Sequence, residues 1–256
     1  MSEHLNVTIR DRICQILLNR PDKKNALTMA MYEGLTQALK DADANPEVRV
    51  ILLGSTGDSF CSGNDIGDFI GAINSPNAIQ APLQFLQTIS SLAKPIVAVV
   101  PGVAVGIGVT MLLHCDLVIA SDQASFQLPF ARLGLVPEGG ASLILPQLVG
   151  HRRAFELLVM GESFSATTAS DLGIINRVVM HNSLQDLSIL EAGKLAALAP
   201  DAVRQSKAMI RNISQSQLQE VLLAEVEQFA ARLKSAEAME ALQAFMQKRE
   251  PDFSRF

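Results

Sequence analysis

Residues 95–113 read "PIVAVVPGVAVGIGVTMLL", a stretch without a single charged side chain, and this stretch constrains the fold more than any other. Its length approaches that of a membrane-spanning helix. Pro101, Gly102, Gly106 and Gly108 interrupt it, however, and proline and repeated glycine break a continuous helix. The β-branched run Ile96–Val100 predicts a buried strand, the Pro-Gly step a turn, and the residues after Gly108 a buried helix rather than a membrane span. Hiding such a segment requires a large interior. A chain of 256 residues with 48% apolar composition supplies it, with Phe as the main aromatic filler because there is no Trp and one Tyr.

The same alternation recurs along the chain. Residues 7–10 and Ile13–Leu18 predict two strands joined by a tight Asp11-Arg12 turn. Thr28 predicts a helix N-cap, and that helix ends near Pro46. Residues 48–53 and 117–120 predict further buried strands, each followed by a glycine-containing loop. Repeated strand, loop and helix with continuously apolar strands predicts an α/β fold with helices packed on sheets. The last third reads as helical, with Pro200 dividing two helices. Leu218, Leu222, Val226, Phe229 and Leu233 form one apolar stripe, which either folds back on the chain's own core, the reading the sequence slightly favours, or packs on a neighbouring subunit. Residues 71–81 predict a mobile loop.

Charge and cysteine content exclude several functions. A formal net charge of −5 with dispersed Lys and Arg argues against nucleic-acid binding, which needs concentrated positive charge. Cys14, Cys61 and Cys115 are odd in number and far apart, which fits reduced thiols in a cytoplasmic compartment. The N-terminal residues lack the basic flank and apolar core of a signal peptide. No metal-ligand spacing is present: the run His114, Cys115, Asp116 reads as a helix end, because consecutive side chains diverge.

Two glycine-rich loops and one acid are the candidates for chemistry, though each loop taken alone reads more often as ordinary structure. In "PGVAVGIGVTML" a strand enters a helix through glycines, which exposes the first-turn N–H groups to a negative oxygen. Met111 stands where a dinucleotide loop needs its third glycine, and no Walker lysine follows. Taken by itself, the stretch favours close packing of strand on helix as the reason for these glycines. In "SFCSGNDIGDF", Ser62 and Gly63 allow a sharp turn that leaves the N–H of Asn64 or Asp65 free, with Ile66 opening a short helix. Glu138, in "LGLVPEGGAS", lies between a proline and two glycines in a stretch of low charge. It is either a helix N-terminal acid or an acid kept for chemistry.

Together "FCSGNDI", the stretch from Pro95 through "HCDLVIASDQASF", "LPFARLGLVPEGGAS" and the ending "FMQKREPDF" resemble the enoyl-CoA hydratase/isomerase (crotonase) superfamily. The resemblance covers nearly the whole chain. "CSGND" and "PEG" are similar to the peroxisomal type of Δ3,Δ2-enoyl-CoA isomerase. It implies a spiral of repeated ββα units over residues 1–195 and a C-terminal helical region, 196–256, that builds a homotrimer or a dimer of trimers. It also implies an acyl-CoA site between the glycine loops, with two backbone N–H groups as an oxyanion hole. One donor falls on Asn64, after Gly63, and the other on Ile107, after Gly106. The hydratases of this family carry two glutamates where this chain has Thr110 and Phe130, which puts hydration by paired carboxylates in doubt. Glu138 matches the acid of the isomerases.

By the same resemblance, Ser62, Gly63, Asn64, Asp65 and Ile66 of the first loop, Gly106 of the second and Phe130 line the substrate. Lys23 or Lys24 and Lys248 meet the coenzyme A phosphates, and Phe245 reaches the pocket from a neighbouring subunit. Asp65 and Asp68 read as helix-starting acids and Glu162 as a surface acid. The implied reaction shifts a double bond by proton transfer, with no metal or redox cofactor, coenzyme A being part of the substrate. A hydratase working through Glu138 alone, and a non-catalytic acyl-CoA-binding protein on the same fold, stand as alternatives.

Overall fold

The computed structural model describes residues 3–72, 79–212 and 215–256. Most of the loop predicted at 71–81 falls on residues 73–78, outside the described residues. In chain order the elements are β1 (Leu5–Arg10), β2 (Ile13–Leu18), α1 (Met29–Ala44), β3 (Val50–Ser55), β4 (Ser59–Cys61), α2 (Ile66–Ala72) and α3 (Gln80–Ser91). They continue with β5 (Ile96–Val100), β6 (Val103–Val105), α4 (Ile107–Thr110), β7 (Leu117–Ser121), β8 (Ser125–Gln127), α5 (Ala141–Val149) and α6 (His151–Phe155). The last are β9 (Phe164–Ser165), α7 (Ala166–Asp171), β10 (Arg177–Val179), α8 (Leu184–Ala196), α9 (Pro200–Arg211), α10 (Gln215–Leu233) and α11 (Ala236–Met246).

Among the described residues the strands form two sheets, ordered β1-β2-β3-β5-β7-β10 and β4-β6-β8-β9. β1 and β2 are an antiparallel hairpin, and Asp11 and Arg12 at its tip both have positive φ, as a tight primed turn requires. From β3 onward the chain leaves a strand of the first sheet, turns within a few residues, and adds a short strand to the second. The pairs β3/β4, β5/β6 and β7/β8 all do this, so the chain winds as a spiral of β-β-α units. The structure therefore corrects the prediction for 95–113. Val103–Val105 is a strand, and the helix after it is one α-turn continued by a 3₁₀ turn over Met111–His114.

The apolar strands are buried on both faces. Ile51 and Leu53 of β3 face the main core, while Val50 and Leu52 face a second cluster under α8 with Leu184, Ala192 and Ala196. Of the stripe predicted on α10, Leu218, Leu222, Phe229 and Leu233 join the main core, so this helix folds onto its own chain. Val226 is half-buried and its neighbour Glu225 is buried instead. The His114-Cys115-Asp116 run diverges as expected. His114 bonds the Gly139 carbonyl, whereas Asp116 pairs with Lys207 and Arg211. No group of three metal-ligating side chains exists among the described residues, and no described helix is long and apolar enough to cross a membrane.

Candidate active site

Strand register brings the two glycine turns together. β4 and β6 pair in parallel, with Cys61 opposite Ala104, and Asn64 and Ile107 each lie three residues beyond those partners. Gly63 packs against the Val105 carbonyl, and a Cβ on Gly108 would lie 2.4 Å from the Cys61 carbonyl oxygen. Glycine at 108 therefore lets the start of α4 touch the end of β4, and no other residue fits without moving one of them. The N–H of Ile107 belongs to the first turn of α4, where no intrahelical acceptor exists.

The first turn is held from its far side. Leu27 N–H donates to Gly63 O at 2.8 Å, and Asp65 N–H donates to Leu27 O at 2.8 Å. Asp65 N–H is thus occupied, which corrects the expectation that either Asn64 or Asp65 offers the free donor. Asn64 N–H meets no acceptor among the described residues. Its side-chain Oδ1 accepts from Tyr32 OH at 2.5 Å. Asn25 is fully buried and ties the flanking chain together, its Nδ2 donating to the carbonyls of Thr56 and Ser59. The sequence offered no signal for Asn25 beyond its place in a polar loop.

Asp65 pairs with Arg20 at 2.7 Å and accepts the Asp68 N–H. These bonds, the backbone one first, hold its carboxyl below the usual range. Asp68 accepts the Met29 N–H. Both acids are committed to local structure, as expected of helix-starting residues. Glu162 is exposed beside Arg132.

Glu138 is buried, with 8% of its surface exposed. Thr110 Oγ1, at the end of the helix that Ile107 opens, donates to Glu138 Oε1 at 2.5 Å. Burial raises the carboxyl to about 8; the Thr110 hydrogen bond opposes that shift and the charge of Glu225 adds to it. The same carboxyl influences Tyr32 and Cys61, both of which burial already pushes up, Cys61 to about 12. Glu138 is therefore a neighbour of the first turn as well as of α4. The helix-capping role open to it in sequence belongs to another residue. α5 starts at Ala141, and Glu225 from α10 accepts the N–H groups of Gly140 and Ser142 at 2.6 and 2.9 Å.

The remaining predicted positions divide into two groups. Phe130 is buried in the main core, and Leu135 and Val136 pack against that core. Lys23 is exposed, and its carbonyl and that of Lys24 accept from Ser62, so the lysine loop borders the first turn. Phe245 is 60% exposed and Lys248 is exposed at the end of α11. Among the described residues, no hydrogen bond, ion pair or ring contact joins either side chain to the glycine turns.

Two wound sheets of β-β-α units, with two adjacent glycine turns and the buried carboxyl of Glu138 bonded to the second, define the crotonase fold. The enoyl-CoA hydratase/isomerase family model matches residues 8–255, and the chain belongs to this family. It is 35% identical over 254 residues to enoyl-CoA delta isomerase 2 of Rattus norvegicus, covering 97% of this chain and 64% of that protein; the chain thus spans under two thirds of that relative's length. It is 32% identical over 246 residues to a probable enoyl-CoA hydratase of Mycobacterium leprae, covering 95% of both. The crystal structure of an enoyl-CoA hydratase/isomerase from Pseudoalteromonas atlantica superposes with a TM-score of 0.93 at 40% identity, covering 98% of this chain and 100% of that one.

Proposed function

We propose that this protein is a Δ3,Δ2-enoyl-CoA isomerase with Glu138 as its single proton shuttle. The observation that carries this reading is the position of Glu138: buried, and bonded to the helix that begins with the free N–H of Ile107. Conjugating a β,γ double bond with a thioester removes a proton from C2 and returns one to C4. Negative charge collects on the thioester oxygen of the dienolate between those steps. The N–H groups of Asn64 and Ile107 are the donors for that oxygen, each contributing roughly 3 kcal/mol in comparable sites. Glu138 takes the C2 proton, carries it as a neutral acid, and delivers it to C4. A carboxyl raised to about 8 is basic enough for the first step and acidic enough for the second. The proton leaves and returns and no electrons are exchanged, so the chemistry calls for no redox carrier.

Thr110 and Phe130 occupy the positions of the family's paired hydratase acids, which supports isomerisation over hydration. Similarity to a probable hydratase keeps hydration through Glu138 alone as the second reading. Purified protein with 3-enoyl-CoA is expected to gain conjugated-enoyl absorbance, and with 2-enoyl-CoA to lose none. The opposite pattern establishes the hydratase, and binding without either reaction establishes a non-catalytic acyl-CoA-binding protein. Glu138→Gln is expected to abolish turnover and keep CoA-ester binding; a fully active variant removes Glu138 from the mechanism.

We further propose that the exposed apolar side chains of α9 and α11, Met209, Ile210, Met239, Phe245 and Met246, meet other copies of the chain in a trimer or dimer of trimers. Lys23 and Lys248 serve the phosphates there, and Phe245 completes a neighbour's pocket. The three free cysteines fit a cytoplasmic setting.

A further inference from the structure

We propose that Glu225, far away in sequence on α10, is the positioning residue of Glu138: its carboxylate grips the Gly139-Gly140 turn and fixes where the catalytic carboxyl lies. This rests on the reading of Glu138 as the base. Glu225 is buried and forms no ion pair among the described residues. Its two oxygens are taken up by Gly140 N–H at 2.6 Å and Ser142 N–H at 2.9 Å, the first-turn donors of α5, where the helix dipole favours an anion. Leu218, two turns earlier on the same face of α10, closes the contact, since a Cβ on Gly140 would lie 2.5 Å from its Cδ1. His114 Nε2 adds a further hold, donating to the Gly139 carbonyl at 2.8 Å. The residue directly before this clamped pair is Glu138. Two consecutive glycines with φ of +73° and +74° would otherwise leave it on a pliable turn.

Glu225 also supplies negative charge beside Glu138. The groups around Glu138 are Thr110 from α4, Tyr32 from α1, Cys61 from β4 and Glu225 from α10, with His114 of the 3₁₀ turn on the carbonyl of the adjacent Gly139. Burial keeps the Tyr32 hydroxyl and the Cys61 thiol protonated, and holds His114 neutral by pushing it down to about 4. Through the range where Glu138 titrates, these three neighbours do not change charge. Withdrawing the charge of Glu225 favours ionised Glu138, so its midpoint falls.

The test titrates the full chain, labelled with ¹³C-carboxyl glutamate, by NMR in the wild type, Glu225→Gln and Glu225→Asp, with Glu138→Gln assigning the signal. Glu225→Gln is expected to lower the Glu138 midpoint by roughly one unit and to reduce kcat for 3-enoyl-CoA about tenfold with KM little changed. Glu225→Asp keeps the charge and shortens the reach, so it is expected to keep the midpoint and lose kcat. A Glu225→Gln variant that loses melting temperature and kcat while the midpoint stays fixed makes Glu225 merely structural and overturns the proposal, as does full activity in Glu225→Asp. The titration needs no substrate. An inactive wild type whose midpoint still responds to Glu225 refutes the isomerase reading and supports the hold of Glu225 on Glu138.

Discussion

Thr110→Val removes one hydroxyl and keeps the side chain's shape, so it isolates the hydrogen bond that opposes the rise of Glu138. The bond is short, 2.5 Å, and buried. A hydrogen bond to a charged group contributes about 1.5–3 kcal/mol, and about 1.4 kcal/mol corresponds to one pKa unit. Losing it should move Glu138 from about 8 up by roughly one to two further units. At pH 7 about a tenth of wild-type Glu138 is ionised, and in the variant about one part in a hundred to one in a thousand. The kcat/KM for 3-enoyl-CoA isomerisation should therefore fall roughly tenfold to a hundredfold at pH 7, and recover most of that loss by about pH 10. The assay is the kcat/KM–pH profile. An acid limb that stays in place, or a loss equal at every pH, refutes the reasoning.

Three other outcomes follow from the geometry. Glu138 is raised in the folded chain, so it contributes stability while protonated, below its ordinary value of 4.5, and that contribution is lost as pH rises through about 8. Glu138→Gln should accordingly melt higher than wild type above pH 8, by about 3–5 kcal/mol in unfolding free energy, and equal it near pH 4. Gly108→Ala puts a methyl against the Cys61 carbonyl. It should cost about 1–3 kcal/mol in denaturant titrations and lower kcat about a hundredfold by parting the two donors; unchanged turnover would show that the turns need not touch. Tyr32→Phe frees the Asn64 side chain and should cost about 1–2 kcal/mol with a drop in kcat, measured by thermal melts and the same assay.

The repeated strand-loop-helix order, the hairpin at Asp11-Arg12, the Thr28 cap and the two glycine turns were all legible, because each leaves a local mark on the sequence. Thr28 Oγ1 does accept the Met31 N–H. The strands of the second sheet were not legible. "VAV" and "SFQ" are too short to show a period, and they are strands only because β4 offers an edge to the first and β6 an edge to the second. Glu138 drew attention by its isolation between Pro137 and two glycines, but its burial depends on Thr110 and α10. Glu225 was hidden for the opposite reason. An acid on a mixed helix face reads as solvated, and only the approach of the α5 N-terminus, remote in sequence, makes its burial affordable. Asn25 was missed likewise, its partners lying in the β3–β4 segment.

The central claim is that one carboxyl lies over a thioester whose oxygen is held by two backbone N–H groups. A crystal structure with a non-reacting 3-enoyl-CoA analogue tests it most directly. The thioester oxygen is expected within hydrogen-bonding distance of both Asn64 N and Ile107 N, with Glu138 the carboxyl nearest C2 and C4. An acyl chain bound with its carbonyl away from those two amides, or with another acid nearer the reacting carbons, contradicts it.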